Sequence, residues 1–273
     1  MAENNDLIQW PRAQYWDKPW NPIVGCRKCS PACEHCYAES MMRRFGAADF
    51  SPRRTTRANP PRKGIVFCGN MTDLFGEWMY PYSGKFMAEN PSDLIAACKS
   101  SDATYLWLTK RVENMAFELS DGSFPKLEED RFADHHLRLS RLNLGNHYFG
   151  FTAENQEWYD LRFKAFRRIP TKFKGWLSAE PLLGPINLGL DCVYPPEAMP
   201  FQWIVVGSES GSNRRPCNIE WVESIVEQCL AANVPVFVKQ ICLSNGKFTN
   251  KIEEFPKHLQ IRQVPWTTKV ETK

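Results

Sequence analysis

Four cysteines fall within eleven residues, Cys26, Cys29, Cys33 and Cys36, in the run Gly25-Cys-Arg-Lys-Cys-Ser-Pro-Ala-Cys-Glu-His-Cys-Tyr37. Thiolates packed this closely either hold a metal or cluster or are oxidised to one another. A four-thiolate zinc site ordinarily unites two knuckles a dozen or more residues apart, whereas only Ser30, Pro31 and Ala32 separate Cys29 from Cys33. A Cys33–Cys36 redox pair opening a helix is a second reading, since a helix N-terminus lowers a thiolate pKa. A third is a [4Fe-4S] cluster, in which three thiolates hold three irons and the fourth iron is open to a small ligand. Two ligand sets are open to this reading. Cys26, Cys33 and Cys36 have six and then two intervening residues, and Cys29, Cys33 and Cys36 have three and then two.

A second group of reactive side chains sits where apolar runs end. These are Cys68-Gly-Asn-Met-Thr-Asp73, Thr109-Lys-Arg111, Thr152-Ala-Glu-Asn155, Ser178-Ala-Glu-Pro181, Gly207-Ser-Glu-Ser-Gly211 and Lys239-Gln240. One polar turn after a strand is ordinary; six of them point to a shared pocket at the carboxyl ends of a parallel sheet, where such folds place their sites.

The elements that must position these residues are legible as a repeating pattern. Nearly continuous apolar runs, suited to strands buried on both faces, occur at 21–24, 64–68, 104–108, 147–152, 175–178, 203–206 and 235–239. Helical patterns lie between several of them, at 33–44, 92–99 with Ser92 as cap, 132–142, 155–166 and 218–232 with Asn218 as cap. Residues 121–130 and 191–200 read as loops. Alternating strands and helices imply βαβ units with right-handed crossovers. The expected class is therefore α/β, an open partial (β/α)6–7 barrel over residues 1–242, followed by a short C-terminal extension over 243–273. No repeat or linker divides the chain.

Composition constrains the rest. Apolar content of 43% and charged content of 24% are ordinary for a globular protein. Ten Trp and 17 Phe exceed the usual share and supply core and stacking surface. The net charge of +3 is small, but a local basic patch suffices for nucleic acid. Basic residues cluster at Arg43-Arg44, Arg53-Arg54, Arg57, Arg62-Lys63, 162–168 and 172–174. Without a signal peptide or a membrane-length apolar run, a cytoplasmic location is expected, where clustered cysteines favour metal over disulfide. The remaining cysteines, Cys68, Cys98, Cys192, Cys217, Cys229 and Cys242, read as small buried residues.

The segments Trp20-Asn-Pro-Ile-Val-Gly-Cys26 and Ser30-Pro-Ala-Cys33-Glu-His-Cys36-Tyr-Ala-Glu39 resemble a family of radical S-adenosylmethionine (SAM) proteins of tailed phages and bacteria, distantly similar to spore photoproduct lyase. Further blocks with the same resemblance are Val66 to Phe75, Trp107 to Arg111, Trp176 to Pro185, Trp203 to Gly211 with Arg215-Pro216, and Val234 to Gln240. Ser208 departs from the family, where a second glycine is usual. The resemblance implies a barrel of radical SAM type and a [4Fe-4S] cluster held by Cys26, Cys33 and Cys36, with Cys29 outside the motif. It implies SAM contacts from Gly69, Asn70, Thr72, Asp73, Glu180, Gly207 and Glu209. Lys110, Arg111, Glu154 and Lys239 are then candidates for the substrate side, with Lys110, Glu154 and Lys239 as catalytic groups; Tyr37 and Trp107 are candidates to stack on a base.

The implied reaction is on a modified thymine in DNA, most specifically the isomerisation of N-linked glycinyl-thymidine to its C-linked form in phage DNA hypermodification. The implied partners are DNA and an electron donor such as a flavodoxin or ferredoxin, with no membrane, in the host cytoplasm if phage-encoded. Two further readings stand beside it, a thymine photoproduct repair lyase and a non-enzymatic zinc or nucleic-acid-binding module.

Overall fold

Seven strands run parallel and lie side by side in the order in which the chain makes them. After β1 (Ile8–Gln9), they are β2 (Lys18–Trp20), β5 (Ile65–Cys68), β6 (Thr104–Thr109), β7 (His147–Thr152), β8 (Lys174–Ala179), β9 (Trp203–Gly207) and β10 (Val236–Cys242). A short β11 (Phe248–Thr249) adds antiparallel to β10 and makes an eight-stranded, open sheet. The computed structural model describes residues 8–56, 59–80, 90–99, 101–120, 139, 142–190, 199–211, 213–243 and 245–266. The runs that read as continuously apolar are the central strands; β5, β7 and β9 are buried along their whole length.

The first strand differs from expectation. It is Lys18–Trp20, whose partner is β5 in the register Lys18↔Val66. The predicted run 21–24 instead passes through Asn21 and Pro22 into a two-residue strand, β3 (Ile23–Val24), paired antiparallel with β4 (Arg53–Arg54). Proline has no N–H for a central ladder, and the β3–β4 pair brings the stretch after the cysteines back beside them.

Helices follow the strands. They are α1 (Tyr37–Arg44), α2 (Pro91–Ala97), α3 (Val112–Leu119), α4 (Gln156–Phe166) and α5 (Ile219–Ala231). The Asn155 and Asn218 side chains cap α4 and α5, accepting from Trp158 N at 3.1 Å and Glu220 N at 3.1 Å. The cap of α2 is Asn90, which accepts from Asp93 N at 2.9 Å; Ser92 lies inside the helix and bonds to Glu118. The predicted helix at 132–142 lies almost wholly outside the described residues, as do Arg57 and Cys192. Helix α3 carried no sequence expectation. Where 33–44 predicted one helix, a 3-10 turn at Pro31–Cys33 precedes α1, with Cys36 at the cap position between them.

Alternation along the strands sorts the core into two layers. One face carries Val66, Tyr105, Trp107, Phe149, Phe151, Leu177, Ile204, Val206, Val236 and Val238, packed against apolar residues of α2 to α5 such as Ile95, Met115, Phe166 and Ile225. The other face is an aromatic layer of Phe67, Tyr148, Trp176, Trp203 and Phe237, with Leu106 and Val205. Trp10, Tyr15 and Trp266 from the two ends of the chain close over it. Trp176 stacks on Trp203 at 5.2 Å, and Tyr15 and Trp266 meet Trp203 edge-on at 5.0 and 4.8 Å. A strand pair, β1 with β12 (Gln263–Val264), ties these ends together. The aromatic excess is therefore mostly core. Among the described residues no helix is long and apolar enough to cross a membrane.

Candidate functional site

The cysteine loop leaves β3 at the carboxyl ends of the parallel strands and is fixed at its backbone before the first thiol. Gly25 N donates to Met71 O at 3.0 Å, Gly25 O accepts from Thr72 Oγ1 at 2.6 Å, and Cys26 N donates to Phe50 O at 2.9 Å. Gly25 has φ +88°, and a Cβ there would stand 2.2 Å from Ser51 O, so only glycine fits. Asn21 holds the opposing turn: its Oδ1 accepts from Met71 N at 3.1 Å and its Nδ2 donates to Asn70 Oδ1 at 2.7 Å. Thr72 and Asn70, expected to face SAM, thus fix the cysteine loop and its neighbouring turn. Gly69 adopts φ +77° at the start of that turn.

Two arginines brace the loop. Arg111, after β6, donates Nη2 to Arg27 O at 2.9 Å. Its Nη1 meets Asp73 at 3.2 Å, its Nε meets Glu77 at 2.9 Å, and its guanidinium lies over Trp78. Asp73 is buried and saturated: Oδ1 accepts from Thr109 Oγ1 at 2.7 Å and Phe75 N at 3.0 Å, and Oδ2 accepts from Lys110 N at 3.0 Å as well as from Arg111. It therefore positions the 109–111 turn. Arg215 performs the same service on the other side, donating Nη1 to Pro31 O at 3.0 Å while gripping Glu209. Glu209 also meets His35 Nδ1 at 3.1 Å. Burial pushes the Glu209 carboxyl up, but the Arg215 and His35 hydrogen bonds outweigh this and hold it low.

The four thiols are half-buried. Burial pushes Cys26 up to about 12, with Asp73, Cys33 and Cys36 adding to it while Arg111 opposes. Cys29 hydrogen-bonds to Cys33; this bond raises Cys29 and lowers Cys33, and the Lys110 ammonium lowers Cys33 further. Among the described residues no group of three or more His, Cys, Asp or Glu side chains is placed to hold a metal ion. A cavity of about 320 Å³ opens on the outer side of Cys26, lined by Arg27, Lys28, Phe50 and Trp78 among others. Elsewhere Cys68, Cys98, Cys217 and Cys229 are buried, with thiols pushed up chiefly by burial, as expected of structural residues.

Behind the loop, Glu180 and Lys239 form an ion pair at 2.6 Å, with Gln240 Nε2 3.3 Å from the same carboxylate oxygen. The two residues were expected on opposite ligands and instead hold each other. Lys239 lies 5.9 Å above the Tyr15 ring, whose hydroxyl is raised by burial and by the Glu180 and Tyr37 charges. Tyr37 borders the same space and donates its hydroxyl to Asn70 O. Gly207 closes the turn against Gln240, which donates to Ser208 O at 2.6 Å. Glu154 is fully buried and takes Arg162 Nη1 at 2.6 Å; its Oε1, Arg162 Nη2 and Ser208 Oγ have no partner among the described residues.

Two expectations fail on burial. Trp107 is wholly buried in the helix-facing layer, donating to His147 Nδ1 at 3.0 Å, and is closed to a base. Arg162, counted among the basic clusters, is the buried partner of Glu154 and is closed to phosphate. Arg215, Asn21, His35 and Tyr15 went unassigned from sequence. Arg215 was visible as part of a block, but its role depends on a contact 184 residues away. Tyr15 had only the aromatic density of Trp10, Trp16 and Trp20 to mark it.

A family model described as a protein of unknown function (DUF5131) matches residues 11–263. Comparison with curated proteins and with solved structures found no match.

Proposed function

The chain belongs to the DUF5131 family, and on that premise we propose that it is a radical SAM enzyme of partial-barrel type acting on a modified thymine in DNA. The observation that carries the reading is the position of the loop bearing Cys26, Cys29, Cys33 and Cys36 at the carboxyl ends of a sequentially ordered parallel sheet, where it is braced by Arg111 and Arg215. The donor set fits the group: three soft thiolate ligands on a short, backbone-fixed loop suit iron–sulfur ligation. Cys26, Cys33 and Cys36 would hold the cluster, which with bound SAM would supply the radical chemistry that removes a substrate hydrogen.

The chain's own residues position and shield. Arg111 with Asp73 and Arg215 with Glu209 hold the ligand loop in register. The partnerless Glu154 Oε1 and Ser208 Oγ are buried groups suited to a ligand's ammonium or hydroxyl. The Glu180–Lys239 pair offers a carboxylate and an ammonium to a substrate that separates them. The aromatic layer beneath Tyr15 excludes water from the far side.

The specific reaction we propose is isomerisation of N-linked glycinyl-thymidine to the C-linked form. The glycyl Cα–H and the methylene C–N bonds break, a Cα–C bond and an N–H bond form, and no atom is gained or lost. Reconstituted protein with SAM, a reductant and DNA bearing glycinyl-thymine, analysed by nucleoside mass spectrometry, tests this. A new isobaric nucleoside supports it; unchanged nucleoside with intact cluster refutes the substrate. Restoration of thymine in irradiated DNA instead would identify a photoproduct lyase.

A further inference from the structure

Helix α1 follows the last cysteine and presents an apolar row to solvent. Tyr37, Met41 and Phe45 are 46%, 42% and 81% exposed. Their spacing of four residues places them on one face, and the bond from Phe45 N to Met41 O at 3.1 Å carries the row past the helix end. The other exposed large apolar side chains among the described residues, Leu161 and Leu230, stand singly on α4 and α5. Isolated ones need no explanation; a row does.

Charge identifies what the row fits. Residues 27–63 hold nine Lys and Arg against three Asp and Glu, so this stretch is +6 and the rest of the chain −3. Arg43, Arg44, Arg53 and Arg54 are exposed. Arg43 is shared with Glu39 and Arg53 with Asp49, while Arg44 enters no ion pair among the described residues. The inner end of the row is at the site: Tyr37 adjoins Cys36, donates to Asn70 O and lies within the field of Glu180. Over eight helical residues the row extends about 12 Å outward.

A nucleic-acid strand alternates phosphates with flat apolar base faces, and apolar side chains flanked by guanidinium groups match both. A base in a duplex reaches an enclosed site only when it is unstacked. We propose that the Tyr37–Met41–Phe45 row is the docking ridge for the DNA strand, stacking against its bases while Arg43, Arg44, Arg53 and Arg54 take phosphates, and that it delivers an unstacked base to the cysteine site. This rests on the reading that the substrate is a base in DNA.

The test uses the full reconstituted chain and a fluorescent oligonucleotide duplex carrying 2-aminopurine beside a thymine. Met41→Ser/Phe45→Ser should weaken binding about 5- to 100-fold, from the usual worth of base stacking, and abolish the 2-aminopurine signal of unstacking. Arg44→Glu should reduce the slope of log affinity against log salt by about 1. Iron content and thermal midpoint should match the wild type in both. Wild-type protein that holds its cluster but binds no DNA at low salt would overturn the DNA reading and the ridge together. Wild-type binding with unaffected variants would overturn the ridge alone. Unaffected DNA binding with slowed reduction by a flavodoxin would assign the face to an acidic electron-donor protein and overturn the proposal.

Discussion

Arg215 donates to both oxygens of Glu209, Nε to Oε2 at 3.0 Å and Nη2 to Oε1 at 2.5 Å, while its Nη1 reaches the Pro31 carbonyl at 3.0 Å and Glu34 Oε2 at 3.2 Å. A strand end, a loop arginine and the cysteine turn are thereby joined through one planar group. Lysine cannot reproduce the fork. Arg215→Lys and Glu209→Gln should each lower iron affinity about 10- to 100-fold, the usual effect of losing a group that orients a metal ligand. Chelator competition on reconstituted protein measures it, and unchanged affinity would make the pair incidental.

Gly25 sets where Cys26 begins. Its φ of +88° and the 2.2 Å approach to Ser51 O leave no room for a side chain. Gly25→Ala should cost roughly 2 kcal/mol or more, combining a left-handed penalty with a backbone clash. Urea unfolding of the two proteins checks this.

Glu154 and Arg162 are a buried pair at 2.6 Å. Removing one partner strands the other in the core, so Glu154→Ala should destabilise by about 3–5 kcal/mol. The isosteric Glu154→Gln should retain more of the fold. Activity lost in the glutamine variant at full stability would assign the carboxylate to the reaction; activity retained would leave it structural.

Glu118 supplies a pH dependence far from the cysteines. Burial, opposed by hydrogen bonds from Ser92 and Tyr80, raises its carboxyl to about 7 from an ordinary 4.5. A raised acid binds its proton more tightly when folded, so its favourable contribution is complete below the unfolded value and is lost as pH climbs from 4.5 to about 7. The loss is on the order of 3 kcal/mol. Glu118→Gln should flatten the fall in stability over this window, as read by denaturant unfolding at pH 5 and pH 8; an equal fall in both proteins would refute the assignment.

The sheet was legible in the sequence because strands buried on both faces need unbroken apolar runs, and six of the seven parallel strands lie where such runs stand. The exception, Lys18–Trp20, is short, carries a lysine and a proline, and sits at the sheet edge, so no apolar run announces it. The polar residues at the strand ends were visible in the sequence, but their partners were not readable. That Arg111 pairs with Asp73 and Arg215 with Glu209 could not be read from spacing along the chain. Trp107 resembles a stacking platform until alternation assigns it to the helix-facing layer. Such pairings depend on which strand ends become neighbours, which spacing along the chain does not encode.

The proposed cluster ligands are Cys26, Cys33 and Cys36, with Cys29 outside the set. Anaerobic reconstitution with iron and sulfide counting tests this assignment most directly, on the wild type and on Cys26→Ala and Cys29→Ala. About four irons with matching sulfide are expected in the wild type and in Cys29→Ala, with loss of both in Cys26→Ala. About one zinc in place of iron, or a cluster kept without Cys26 and lost without Cys29, would contradict it.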